Sequence, residues 1–186
     1  MQIGLLGYPN NTNKLIDKLF KQNGMAVPGY YSSKSTASTH LVKQFDSIPE
    51  LINHSDILYL LDEEHAYEAS MIAIRESRHL FFDSPFLLQK KQMDELFELS
   101  TETSCMIKFN QEILQKQIYQ KLKDQLNPEI LKFYIGINSF RNQKKIIQKY
   151  LFDVVSVTRD NIKSGIRKTY LQSIPGKNGN PLTFSL

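Results

Sequence analysis

Met1-Gln2-Ile3-Gly4-Leu5-Leu6-Gly7-Tyr8-Pro9-Asn10-Asn11-Thr12 opens the chain and decides how the rest is read. An apolar run passes into a glycine and then into polar residues that precede a helical pattern. That order is a buried β-strand, a tight turn and a helix, the opening of a dinucleotide-binding fold. The turn is wrong for a dinucleotide. A pyrophosphate is held by Gly-x-Gly-x-x-Gly, so that backbone approaches the phosphates and the helix N-terminus points its N–H groups at them. From Gly7 this chain offers Gly7-Tyr8-Pro9-Asn10-Asn11-Thr12, which keeps only the first glycine. Pro9 suits the first turn of a helix but removes one N–H from an anion site. Gly7 itself permits close approach of a phosphate, yet a strand-to-helix turn calls for glycine with or without a ligand.

Downstream, strand and helix alternate with short connections. Asn13–Gln22 places Leu15, Ile16, Leu19 and Phe20 at helical spacing, and Asn23-Gly24 ends it. Met25–Tyr31 reads as a second strand. Ser47–Asn53 is a short helix with Ser47 as N-cap. Asp56–Leu61 is a continuous apolar run of the kind found in a central parallel strand. Glu63–Ser77 is helical with Ala66, Ala69, Ala73 and Ile74 inward. His79–Phe82 is a strand, Gln89–Ser100 a helix with Met93, Leu96 and Phe97 inward, and Ser104–Phe109 a further strand. The order β-α-β-α-β-α-β-α-β predicts an α/β, Rossmann-type, doubly wound parallel sheet with right-handed crossovers.

The pattern changes after residue 109. Asn110–Leu126 repeats Ile113, Leu114, Ile118, Leu122 and Leu126 with a period near 3.6 and stops at Asn127-Pro128, which predicts one helix. Leu131–Phe140 alternates like a half-exposed strand. Gln143–Asp153 is read as a helix; Val154–Thr158, Ile162–Ser173 and Leu182–Leu186 are read as strands. A domain over 1–109 is therefore expected to be followed, over 110–186, by a linking helix and a shortened α+β unit with an open sheet.

The 186 residues, 41% hydrophobic and 11% aromatic, suffice for one domain or one and a half with a real core. No apolar run approaches the roughly 20 residues that cross a bilayer. No basic segment precedes the first apolar residues, and the lone Cys105 forms no internal disulfide. The expected compartment is the cytoplasm. The net charge of +4 conceals a split: residues 1–107 carry 9 Lys/Arg and 14 Asp/Glu, and residues 108–186 carry 14 and 5. The two parts are thus −5 and +9, which suggests self-association or an anionic partner unless surface lysines merely cluster there. The basic end interleaves Arg141, Lys144, Lys145, Lys149, Arg159, Lys163, Arg167 and Lys168 with Tyr150, Phe152 and Tyr170, but it matches no nucleic-acid-binding motif. Lysines guarding a sheet edge give the same composition. Nucleic acid and membrane are not expected as partners; an anionic small molecule is admitted.

Three stretches resemble the glucose–fructose oxidoreductase / inositol dehydrogenase (Gfo/Idh/MocA) family of NAD(P)-dependent oxidoreductases. They are Ile3-Gly4-Leu5-Leu6-Gly7, then Phe45–Ile52 followed by Ser55–Tyr59, and Arg78-His79-Leu80-Phe81-Phe82-Asp83-Ser84-Pro85 with the helix carrying Met93–Phe97. The last is similar to the family's Gly-Lys-His-Val-x-x-Glu-Lys-Pro segment, and Asn127–Phe133 looks like the passage into its second domain. The resemblance spans about residues 1–140 and implies a nicotinamide dinucleotide and a sugar- or polyol-like substrate. The departures are chemical. The family's Glu-Lys-Pro lysine falls on Ser84, between Asp83 and Pro85, and a serine supplies no cation. Its Thr-Pro-Asn segment beside the cofactor falls on Leu61-Asp62-Glu63, with Glu64 next, so three carboxylates would face a diphosphate. Tyr30-Tyr31-Ser32-Ser33 replaces the acidic residue expected to hold the adenosine ribose. The family's catalytic histidine belongs to its second domain, and residues 141–186 contain no histidine.

The resemblance thus implies retained fold markers and lost chemistry: a pseudo-enzyme acting as a binding or assembly partner, a homodimer or a complex with a paralogue through the C-terminal sheet. No catalytic residue is assigned, Ser84 standing where the family has lysine. The residues lining the expected cofactor crevice are Gly7, Pro9, Asn10, Ser32, Ser33, Lys34, Leu61, Asp62, Asp83 and Pro85. Ser32-Ser33-Lys34 would favour NADP over NAD if a dinucleotide binds; in the main reading no cofactor is expected. The alternative is an active NAD(P)-dependent oxidoreductase on a sugar or polyol. Asp62-Glu63-Glu64-His65 fits no closed metal motif, and acidic residues at a helix start match its dipole. Asp83 is expected to cap or hydrogen-bond the loop that follows it. His79 is expected buried and satisfied, and Cys105 inert in an apolar strand.

Overall fold

The computed structural model describes residues 1–7, 16, 24–33, 42–84, 87–123, 143–161, 172–175 and 181–185. The chain divides into two compact units, Met1–Asn110 and Gln111–Leu186.

In the first unit, six parallel strands form one sheet among the described residues: β1 (Ile3–Leu6), β2 (Gly29–Tyr31), β3 (Lys43–Gln44), β4 (Ile57–Leu60), β5 (His79–Phe82) and β6 (Ile107–Phe109). Their spatial order is β3-β2-β1-β4-β5-β6. The chain winds outward from β1 in one direction, returns, and winds outward from β4 in the other, which is the doubly wound topology. Register is continuous across the centre, with Leu5 opposite Tyr30 on one side and Tyr59 on the other. The second strand begins at Gly29, later than its apolar pattern suggests; only Ala26 pairs earlier, with Gln2. The two-residue β3 was not visible as a strand in the sequence, because Lys43 and Gln44 are both exposed and carry no apolar signal. It forms because Gly29 lets β2 approach: a Cβ there would press into Phe45 and the Lys43 carbonyl.

Alternation along the strands builds two cores. Leu6, Leu58, Leu60, Leu80 and Phe82 face one layer, packed by helices α1 (Ile48–Asn53), α2 (Ala66–Arg75) and α3 (Lys90–Thr103). Ile3, Leu5, Tyr30 and Tyr59 face the other, with Val27 and Ile16, the one described residue of the first predicted helix, fully buried among them. Both faces are covered, so the central strands read as unbroken apolar runs. Ser47 caps α1 by accepting from the Glu50 N–H at 3.3 Å, with a proline in the first turn. Ala66, Ala69 and Ala73 are fully buried, and these small side chains let α2 lie close to the sheet. In α3, Leu96 is fully buried, but Phe97 is 43% exposed, contrary to the inward placement expected for it. Ser100, one turn beyond Leu96, takes the inner face, and Phe97 lies on the flank, 6.4 Å ring to ring from Phe109. His79 is half-buried rather than buried, and its Nδ1 accepts from the Met106 N–H at 3.2 Å. Cys105 is buried two residues ahead of β6, not within it.

The second unit departs further from the sequence reading. The single helix expected over 110–126 is two, α4 (Glu112–Gln115) and α5 (Gln117–Lys123), because Lys116 is extended at φ −67°, ψ 131°. The break is satisfied locally: the Gln120 side-chain amide donates to the Leu114 carbonyl, and the Gln120 N–H to the Lys116 carbonyl. Val154–Thr158, expected as a strand, belongs to α6 (Gln143–Asn161). Helical spacing overrides the β-branched preference: Val154 and Val157 are buried one turn apart, and the Thr158 hydroxyl donates back to the Val154 carbonyl at 2.8 Å. The Tyr119 hydroxyl ties α5 to the end of α6 through Asp160 at 2.6 Å. Among the described residues this unit is therefore helix-rich rather than strand-rich, with one antiparallel pair, β7 (Gln172–Pro175) and β8 (Pro181–Ser185). The strand expected over Leu131–Phe140 lies outside the described residues.

Candidate functional site

Strands of a parallel sheet end on one edge, and in doubly wound folds that edge binds ligands where the winding direction reverses, here between β1 and β4. Those of the residues singled out in the sequence that are described lie along it. Gly7 follows β1, Ser32 and Ser33 follow β2, Leu61 and Asp62 follow β4, and Asp83 and Ser84 follow β5. Backbone bonds hold the row in register past the strands themselves: Gly7 N–H to the Tyr31 carbonyl at 2.8 Å, Leu61 N–H to Leu6 at 2.9 Å, Asp83 N–H to Leu60 at 2.9 Å, and Asn110 N–H to Phe82 at 2.8 Å.

Part of this row closes into a cleft of about 200 Å³, open to solvent and lined by Leu6, Gly7, Tyr31, Ser32, Ser33, Asp62, Glu64 and His65. It unites four of the expected residues, Gly7, Ser32, Ser33 and Asp62. Leu61 and Asp83 are on the same edge but do not line it, and Pro9, Asn10, Lys34 and Pro85 lie outside the described residues. Leu6 and Glu64, and also Tyr31 and His65, were not among the expected lining residues. The signal for Tyr31 and His65 was positional: one ends β2, the other immediately precedes α2.

Gly7 has φ +90°, and a Cβ on it would stand 2.6 Å from Asp62 Cβ and 3.0 Å from the Asp62 amide nitrogen. The glycine is required by the chain's own packing, whatever occupies the cleft. His65 is the residue before α2 and sits in the left-handed region at φ 58°, a conformation costly for a non-glycine residue. Its ring meets Tyr31 edge-on at 6.3 Å, and its Nδ1 is 3.5 Å from Glu68 Oε2. The Asp62 carboxylate accepts from the Glu64 N–H at 3.4 Å. The carboxylates around the start of α2 complement its dipole.

Among the described residues, Asp83 is bonded sideways. Its Oδ1 accepts from the Tyr59 hydroxyl at 2.9 Å and from the Asn110 amide at 3.0 Å, which ties the ends of β4, β5 and β6 together. Among the described residues no group of three or more His, Cys, Asp or Glu side chains is arranged to hold a metal ion. No described helix is long and apolar enough to cross a membrane.

The described lining of the cleft is acidic. A dinucleotide's diphosphate would lie over Gly7, where the described lining presents Asp62 and Glu64 and no lysine or arginine. Each like charge near an exposed site adds on the order of 1 kcal/mol of repulsion.

No protein-family model and no curated protein sequence matches the chain. Solved structures do. A dehydrogenase (MviM) from Clostridium difficile superposes with a TM-score of 0.77 at 19% identity, over 99% of this chain and 64% of that one. UDP-N-acetylglucosamine 3-dehydrogenase GnnA from Acidithiobacillus ferrooxidans superposes with 0.77 at 12% identity, over 95% and 61%. An NAD-binding protein from Listeria innocua superposes with 0.70 at 12%, over 88% and 55%. The chain thus spans between about half and two thirds of the length of these three structures. At such identities the likeness is one of architecture, and the chain is accordingly an α/β protein with the Rossmann-type fold of structures described as dehydrogenases.

Proposed function

We propose that this chain is an oxidoreductase-like Rossmann protein with an eroded NAD(P) site, and that it acts as a binding or assembly partner rather than a catalyst. One observation carries the reading: the cleft where a diphosphate would rest is lined by Asp62 and Glu64. The sequence adds that Ser84 replaces the lysine of the resembling family, so the cation that would serve coenzyme and substrate chemistry is missing as well. The partner in this reading is a second copy or a paralogue, met through the C-terminal unit, whose net positive charge opposes the acidic first unit. The compartment proposed is the cytoplasm.

A ligand that binds only the folded state raises its melting temperature. Adding NADH or NADPH to the purified protein is expected to leave the melting temperature unchanged. A rise of several degrees with either overturns the reading.

The structural likeness to proteins named dehydrogenases favours a second reading, an active NADP-dependent oxidoreductase acting on a sugar- or polyol-like substrate. In it, Ser32, Ser33 and Lys34 would receive the 2′-phosphate. Turnover of NADPH with a panel of aldoses and inositols would establish it, and inert coenzyme throughout would remove it.

A further inference from the structure

No further inference is drawn: the strongest candidate, the acidic cleft at the carboxyl ends of β1, β2 and β4, belongs to the site already described, and nothing beside its carboxylates points to a ligand.

Discussion

Leu58 and Asp62 lie four residues apart, on β4 and just beyond it, and they are governed by different physics. Leu58 is fully buried between neighbouring strands and the helical layer, and its surroundings are those any doubly wound sheet would provide. Asp62 is at the edge, beside Gly7, in the place where such a fold ordinarily receives an anion. The body of the sheet is constrained by packing, which tolerates many apolar sequences and yields one architecture. The edge is constrained only by whatever it must bind. A sequence can therefore preserve the first and replace the second, and fold carries no function with it.

The contrast is sharpest if the body is damaged first. Leu58→Ala should cost about 3–4 kcal/mol in urea unfolding, the range for a large apolar side chain removed from a close-packed core. A loss below roughly 1 kcal/mol would mean the core is not packed as described. Gly7→Ala tests the boundary between the regions. With φ at +90° and Asp62 in the way, it should destabilise by about 2 kcal/mol. If Gly7 served a phosphate instead, stability would be nearly unchanged and only ligand binding would suffer. The edge is tested by removing its charge. Asp62→Asn with Glu64→Gln should gain about tenfold in NADPH affinity at low salt, seen as a thermal shift that fades as salt is added. No gain would show that shape, not charge, closes the crevice.

The smallest effect lies on the outer surface of the body. The hydrogen bond from Lys43 at 2.8 Å is the main reason the Glu50 carboxyl is held below its ordinary value of 4.5. A lowered pKa gives stability that is present above that ordinary value and is lost as pH falls through the folded-state value. Glu50→Gln should therefore flatten the acid limb of the stability profile slightly and leave neutral pH almost untouched, because both groups face solvent and salt screens them. An unchanged acid limb would show that the pair contributes nothing.

The order of strands and helices in the first unit was legible because a covered parallel sheet writes long apolar runs, and its helices write a period of 3.6. Ser47 as a cap and the buried face of α2 followed from the same local rules. β3 was not legible, since an exposed two-residue strand bears no pattern. Phe97 was misplaced because a helix flank and a helix face differ by one residue in a row of apolar positions. The second unit was harder for a different reason. The interrupted helix at Lys116 rests on a bond from the Gln120 side chain to the Leu114 carbonyl that periodicity does not encode, and the valine-rich end of α6 is tied to Tyr119 through Asp160, a contact no local window contains. That Gly7, Ser32, Ser33 and Asp62 share one edge was legible because the fold fixes which residues follow β1, β2 and β4. That Asp83 would be held by Tyr59 and Asn110 could not be read, because those residues are 24 and 27 positions away.

By itself, then, the sequence determined the kind of sheet, the absence of a Gly-x-Gly-x-x-Gly turn after β1 and the run of carboxylates after β4, since each is a matter of residue type at a fixed offset from a strand. Only the tertiary structure decided that Gly7 is demanded by Asp62, that Asp83 binds across strand ends, and that Tyr31 and His65 share the cleft. Those are distances between segments far apart along the chain, and periodicity carries no information about them.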